Sequence, residues 1–235
     1  MRRLNRASYV IAANEVMERW LVDRGLRAAH AYLGFHDYLC AAAPRPGVHR
    51  SPWQLAYAGS LNMRKNAFLL EMASAGIPLN LYGRMEEVSV PTTSHVTWHG
   101  RVSPEQFISS AEGDFGLVWD GSSPAGCTGN WGEYLALNTP HKCSFYIRAH
   151  LPLIVWSGAA VAAEVRRRDI GLCVDSLDRL PEIFACLSPE RYASMKANVA
   201  VLAREIAAGA HMRAAVRQAV VQLTGNDKSA SAPME

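Results

Sequence analysis

From Gln54 onward, short apolar runs alternate with amphipathic stretches of about ten residues, and this alternation restricts the chain more than any other feature. Strands are expected at residues 54–58 (QLAYA), 78–82 (PLNLY), 95–99 (HVTWH), 115–119 (FGLVW), 151–156 (LPLIVW) and 171–174 (GLCV). The run at 151–156 is apolar throughout, as in a strand covered on both faces of a parallel sheet. Helices are expected at 65–75, 142–149, 159–168, from 181, and over 190–223 with a break near Gly209. Another opens at Ser103, which supplies an N-cap, with Pro104 at the first helical position and Glu105 in the first turn. Strands that alternate with helices need βαβ crossovers. The expected fold is therefore α/β, a Rossmann-like doubly wound parallel sheet.

The first 45 residues read differently. Residues 7–13 form a short strand, Asn14 caps the stretch EVMERWLVDRG with Val16, Trp20 and Leu21 near one face, Gly25 stops it, and 29–33 form a second strand. Residues 40–52 carry three prolines and no apolar period, which marks a linker. The expected organisation is a small unit at 1–45, a main domain at 46–224, and a polar, disordered tail at 225–235.

Composition removes several classes of function. The chain is 49% hydrophobic and 19% charged, with a net charge of +3, too balanced to require a nucleic-acid partner. Arg166, Arg167 and Arg168 read as a solvated helix face. No apolar run nears the roughly 18 residues of a membrane span, and the start MRRLNRAS lacks a signal-peptide apolar stretch. Five cysteines without a C-x-x-C pair fit a reducing cytosol better than a disulfide framework or a zinc site. His95 and His99 have H-x-x-x-H spacing, but on a strand they lie about 13 Å apart, so no metal site is expected. No G-x-S-x-G element supports a serine hydrolase. The tryptophans sit mostly near strand ends, where core packing accounts for them; Trp131, in a glycine-rich loop expected to run to Gly132, is the one placed to touch a ligand.

In an open α/β sheet the ligand lies at the carboxyl ends of the strands, which singles out the loops after Ala58, Tyr82, His99, Trp119 and Trp156. Gly59-Ser60-Leu61 stands between a strand and a helix, as either a phosphate-holding turn or a plain tight turn. Asn138, Pro140, His141 and Lys142 precede a helix that has Ser144 in its first turn. A lysine at a helix N-terminus suits a diphosphate. Lys142 reads equally as a solvated surface lysine, and His141 as a cap.

The stretches YAGSLNMRKNAFL, GLVWDG, GNWGEYLALNTPHKCSFYI, LPLIVWSGAAVA and GLCVDSL together resemble the donor half of GT-B glycosyltransferases, and within them the glucosyltransferase 3-like and β-1,6-galactofuranosyltransferase group. The resemblance implies a UDP-sugar donor, a saccharide or glycoconjugate acceptor, no further cofactor, and hexosyl transfer in surface polysaccharide or glycoprotein synthesis. It implies a cytoplasmic location, with peripheral contact at the inner membrane face if the acceptor is lipid-linked. It gives Lys142 and Asp120 catalytic roles. Gly59, Ser60 and Leu61 would face phosphates and sugar, and His99, Gly100, Arg101 and Val102 would line the base pocket beside Tyr82 and Gly83. Asn130, Trp131 and Glu133 would approach the sugar, with His141 and Ser144 near the diphosphate, and Ser157, Ala159 and Ala160 at a helix N-terminus close to the donor. Phe145 and Leu137 stand where retaining members of the wider fold carry a glutamate pair.

The same resemblance makes residues 1–45 the end of an acceptor domain whose larger part is missing. The chain alone would then bind UDP but transfer sugar poorly, since the acceptor side supplies the general base. It would expose an apolar face, including Val216, Ala219 and Val220, to a second copy or a partner chain. Alternative readings are a non-catalytic nucleotide-sugar-binding subunit and, on the same fold, an epimerase.

Overall fold

A computed structural model describes residues 1–45, 51–85, 90–91 and 93–225. The expected tail beyond Gly225 and the middle of the linker lie outside the described residues. The main sheet has six strands: β3 (Leu55–Ala58), β4 (Leu79–Tyr82), β5 (Val96–Trp98), β6 (Phe115–Val118), β7 (Leu153–Trp156) and β8 (Gly171–Val174). All pairs are parallel, in the order β5-β4-β3-β6-β7-β8. From β3 the chain winds outward through β4 and β5, then returns to β6 and winds the other way. The switch point lies between β3 and β6, the place where open sheets of this kind bind ligands. Strands β3, β4 and β6 are buried along their whole length, which explains why they are apolar apart from Asn80, whose amide is bonded to Gln54 and His99.

A separate two-stranded parallel sheet precedes it, β1 (Tyr9–Ala12) on β2 (Ala29–Tyr32), joined by α1 (Glu15–Asp23). Asn14 caps α1, its side chain accepting from the Met17 N–H at 2.8 Å. Ala12, Leu21 and Leu26 form the small core beneath it. This unit is tied to the six-stranded part of the chain by polar clamps. Asn14 Nδ2 donates to the Leu137 carbonyl and to Thr139 Oγ1. Arg148, a residue only 7% exposed, donates through its guanidinium to the carbonyls of Tyr38, Cys40 and Ala42. Phe35 enters the main core outright.

The helices are α2 (Met63–Asn66), α3 (Phe68–Ser74), α4 (Pro104–Ser110), α5 (Gly129–Leu135), α6 (His141–Arg148), α7 (Ala162–Arg168), α8 (Leu180–Cys186), α9 (Pro189–Ala207) and α10 (Ala210–Thr224). Among the described residues none is long and apolar enough to cross a membrane. Three differ from expectation. The helix expected at 65–75 begins earlier, capped by Asn62, and breaks at Ala67 because the Phe68 N–H turns to the Gly121 carbonyl. The loop expected to run to Gly132 becomes helical at Gly129. Gly132 lets this turn lie against Cys127, since a Cβ there would come within 2.3 Å of the Cys127 carbonyl carbon. The helix expected from residue 159 starts at Ala162, because the Ala159 N–H closes a tight turn on the Trp156 carbonyl and the Ala160 N–H reaches across to the Leu135 carbonyl at the end of α5.

The other expectations hold locally: α4 starts with a full capping box through Gln106, and Gly209 separates α9 from α10 in a left-handed conformation (φ +69°). Val216 and Val220 are exposed on α10, with Ala219 half-buried. Trp98 is also exposed, unlike the core tryptophan expected at a strand end, because β5 is an edge strand.

α6 packs on the middle of the sheet through Tyr146, whose hydroxyl accepts from the Ala58 N–H at 2.7 Å. This approach needs Gly116 in β6: a Cβ there would meet Tyr146 Cγ at 2.3 Å. Gly116→Ala is expected to destabilise the protein by about 1–3 kcal/mol through overpacking, read as a lower urea midpoint with an unchanged m-value.

Candidate functional site

The loops after β3, β4 and β5 are laced together by their backbones. The Gly59 N–H donates to the Tyr82 carbonyl, Leu61 N–H to Arg84, and Gly83 N–H to Gly100. Gly83 has φ +140°, and a Cβ on it would lie 1.8 Å from the Gly59 carbonyl oxygen, so only glycine allows the crossing. Above these loops opens a cleft of about 390 Å3. Of the residues expected to bind ligand, Gly59, Ser60, Tyr82, Gly83, Arg101 and Val102 line it. Arg84, Phe107 and Phe145 line it as well and were not foreseen as ligand contacts.

The wall is aromatic. Phe107 and Phe145 stack at 4.2 Å, and Phe107 meets Tyr82 edge-on at 4.8 Å. Burial pushes the Tyr82 phenol up to about 12, and its oxygen accepts from the Glu112 N–H. His99 is not part of the wall: its ring stacks on Tyr82 at 4.4 Å and its Nε2 bonds Asn80 Oδ1. Gly100 and Leu61 likewise shape the loops without lining the cleft.

At the switch point a polar cluster is buried. Asp120, in the loop just after β6, takes Lys142 Nζ at 2.8 Å on Oδ1 and lies 3.7 Å from Lys65 Nζ through Oδ2. Lys142 also donates to the Trp119 carbonyl at 3.3 Å and the Tyr57 hydroxyl at 3.4 Å. The surface-lysine reading is therefore wrong: the Lys142 side chain is 11% exposed and all three of its hydrogens have acceptors. Burial lowers the Lys142 pKa, opposed by the Asp120 charge. Lys65 keeps 32% of its side chain exposed and stands 5.3 Å from the Trp131 ring centroid. Two ammonium groups against one carboxylate leave the cluster a formal charge of +1. Sequence reasoning passed over Lys65; its signal is a position in the first helix after the Gly59 loop.

The remaining expected residues scatter. Asn130, Trp131 and Glu133 lie exposed on α5. Ser144 is enclosed on α6 and its hydroxyl has no partner among the described residues. The Ser157 hydroxyl bonds Asp175. Ala159 and Ala160 are buried in the turn that leads into α7, with their own N–H groups bonded to the Trp156 and Leu135 carbonyls. Among the described residues, no group of three His, Cys, Asp or Glu side chains converges as a metal site would require.

His141 is stacked on His36 from the first unit, at 3.8 Å and 15° between rings. His36 Nε2 bonds the Thr139 carbonyl at 3.0 Å. Burial first, then the neighbouring His141, hold the His36 pKa below its usual value, against the pull of the Thr139 carbonyl and Asp37. Between that lowered value and about 6.5 the unfolded chain binds the proton and the native one does not, so acid favours unfolding there. Stability is expected to fall as pH drops through this window, and His36→Gln to flatten the slope in urea titrations at several pH values. Asp120→Ala strips the buried Lys142 of its counter-charge and is expected to cost about 3–5 kcal/mol in the same assay.

Comparison with known proteins places this geometry. The glucosyltransferase 3-like C-terminal domain family matches residues 55–219, which contain the whole cleft and the buried cluster. The chain is 28% identical over 222 residues to the β-1,6-galactofuranosyltransferase WbbI of Escherichia coli K12, covering 94% of this chain and 66% of that one. It is 33% identical over 144 residues to glucosyltransferase 3 of Streptococcus gordonii, covering 60% of this chain and 40% of that one. It thus spans less than two thirds of the length of either relative. Among solved structures, Anabaena Alr3699/HepE in complex with UDP-glucose aligns with TM-score 0.56 at 14% identity, covering 94% of this chain and 64% of that one. The lipopolysaccharide glycosyltransferase WaaG aligns with TM-score 0.54 at 15% identity, covering 92% of this chain and 62% of that one. At such identities these two establish the fold, that of the GT-B glycosyltransferases. With the family matched across the main sheet, the chain belongs to the glucosyltransferase 3-like family, as its C-terminal domain.

Proposed function

We propose that this chain is the donor-binding half of a hexosyltransferase that moves glucose or galactofuranose from a UDP-sugar to a saccharide or glycoconjugate acceptor. The observation that carries the reading is the pairing of the cleft with a net positive cluster at the β3/β6 switch point. Phe107 and Phe145 offer a flat apolar wall to a base, with Arg84 and Arg101 beside it. The glycine-lined Gly59 and Gly83 loops let the ligand approach the backbone closely. Lys65 is the exposed cation of the cluster and would meet the diphosphate. Lys142 would act from beneath, holding Asp120 and adding its own charge to the field.

Transfer in this reading breaks the bond between the anomeric carbon and the diphosphate through an oxocarbenium-like transition state. Negative charge grows on the leaving oxygen. Positive groups already fixed near that oxygen lower the barrier without reorganising during the reaction. Charge supplied by Lys65 and Lys142 supports donor binding without a divalent ion. A general base for the acceptor hydroxyl would come from the acceptor side. The names of the two relatives support hexosyl transfer, and the UDP-glucose bound by the Anabaena protein supports a UDP-sugar donor.

Thermal unfolding in metal-free buffer, with UDP, ADP or no nucleotide, tests this. A nucleotide at about 100 times its Kd adds ~2.7 kcal/mol, a rise of roughly 5–10 °C for a chain of this size. The rise is expected with UDP and to shrink in Lys65→Ala. Equal shifts with ADP, or no shift with UDP, would contradict the reading.

A further inference from the structure

One backbone group fixes the direction of the hydrogens in the buried cluster. The Asn62 N–H can only donate, and it meets Asn66 Oδ1 at 3.0 Å. The other end of that amide, Nδ2, must then face Tyr57, and it donates to the phenol oxygen. With its oxygen accepting, Tyr57 has its own hydrogen free for Asp120 Oδ1, 3.1 Å away. Lys142 donates to that same Oδ1. Tyr57 and Asn66 are each 1% exposed, so water cannot substitute for either link. Burial and the Asp120 charge raise the Tyr57 pKa well above its usual value, which keeps the phenol a neutral donor. Lys65 reaches the carboxylate only through Oδ2, at 3.7 Å.

We propose that Asn66 and Tyr57 are positioning residues for the diphosphate of a nucleoside diphosphate: together with Lys142 they satisfy Asp120 from within, so that Lys65 is left to the ligand. Without the phenol hydrogen, Oδ1 has a vacant lone pair and the carboxylate draws Lys65 into a closer pair, where its charge is spent internally. The same relay holds the phosphate-side loop, because Asn66 ends on the Asn62 backbone. Loop and cation are thereby set by one chain of hydrogen bonds, Asn62 to Asn66 to Tyr57 to Asp120. This role rests on the donor-site reading above.

The test separates phosphate binding from base binding. UDP is titrated calorimetrically and uridine by ligand-observed NMR, against the wild-type chain, Tyr57→Phe, Asn66→Leu and the double variant. Tyr57→Phe keeps the ring and removes the donor; Asn66→Leu removes both of its links at nearly constant volume. Each single variant is expected to lose about 10-fold in UDP affinity, the scale of one hydrogen bond to a charged group. Uridine affinity should stay within about twofold, and the double variant should lose no more than the larger single effect, as members of one relay do. Parallel losses for UDP and uridine would mean a merely structural role and would overturn the proposal, as would variants that bind UDP like the wild type. A wild-type chain that binds neither ligand would defeat the donor-site reading, and the proposal with it.

Discussion

The ion pair between Asp120 and Lys142 sits where the chain reverses its winding, and Tyr57 and Lys65 bind it there from the other half of the sheet. Asp120 lies two residues beyond β6, Lys142 is in the first turn of α6, and Tyr57 and Lys65 arrive from β3 and the helix after it. Removing Asp120 would leave Lys142 uncompensated away from water, a far larger cost than losing an exposed pair. The pair is therefore held by the fold as much as it holds the fold. Its geometry also decides which charge is available outside: Lys142 is used up among its acceptors, whereas Lys65 is tied only at long range.

α6 transmits this arrangement to the rest of the molecule. Its first turn carries His141 against His36, and its last residue, Arg148, clamps the strand of chain that leaves the first unit. Between them Phe145 faces the cleft and Tyr146 pins β3 and β6. One eight-residue helix thus touches the cleft, the buried cluster and the small β1–β2 unit. The glycines at 83, 116 and 132 are the steric counterpart, each leaving out a side chain where backbone or ring must come close.

Much of this was legible in the sequence. The inner strands β3, β6 and β7 announce themselves because burial on both faces leaves little room for polar alternation, and Ser103-Pro104 marks a helix start by its chemistry alone. Gly59, Ser60, Tyr82, Gly83, Arg101 and Val102 could be placed at strand ends, and those ends meet at the cleft. What local pattern could not show is which strands become neighbours. Tyr57, Asn66 and Lys65 matter because β3 lies beside β6, a pairing set by a long crossover. For the same reason Lys142 looked like a choice between solvent and ligand, when its first partner is Asp120. The helix at Gly129–Leu135 was hidden by its glycines, which read as loop formers but serve close packing.

The central claim is that the nucleotide lies across the cleft with its phosphates toward the switch point. A crystal structure of the chain with UDP tests it most directly. The account predicts the uracil against Phe107 and Phe145, and the diphosphate within hydrogen-bonding reach of the Gly59–Ser60 backbone and Lys65 Nζ. UDP bound away from the β3/β6 strand ends, or phosphates turned away from Lys65, would contradict it.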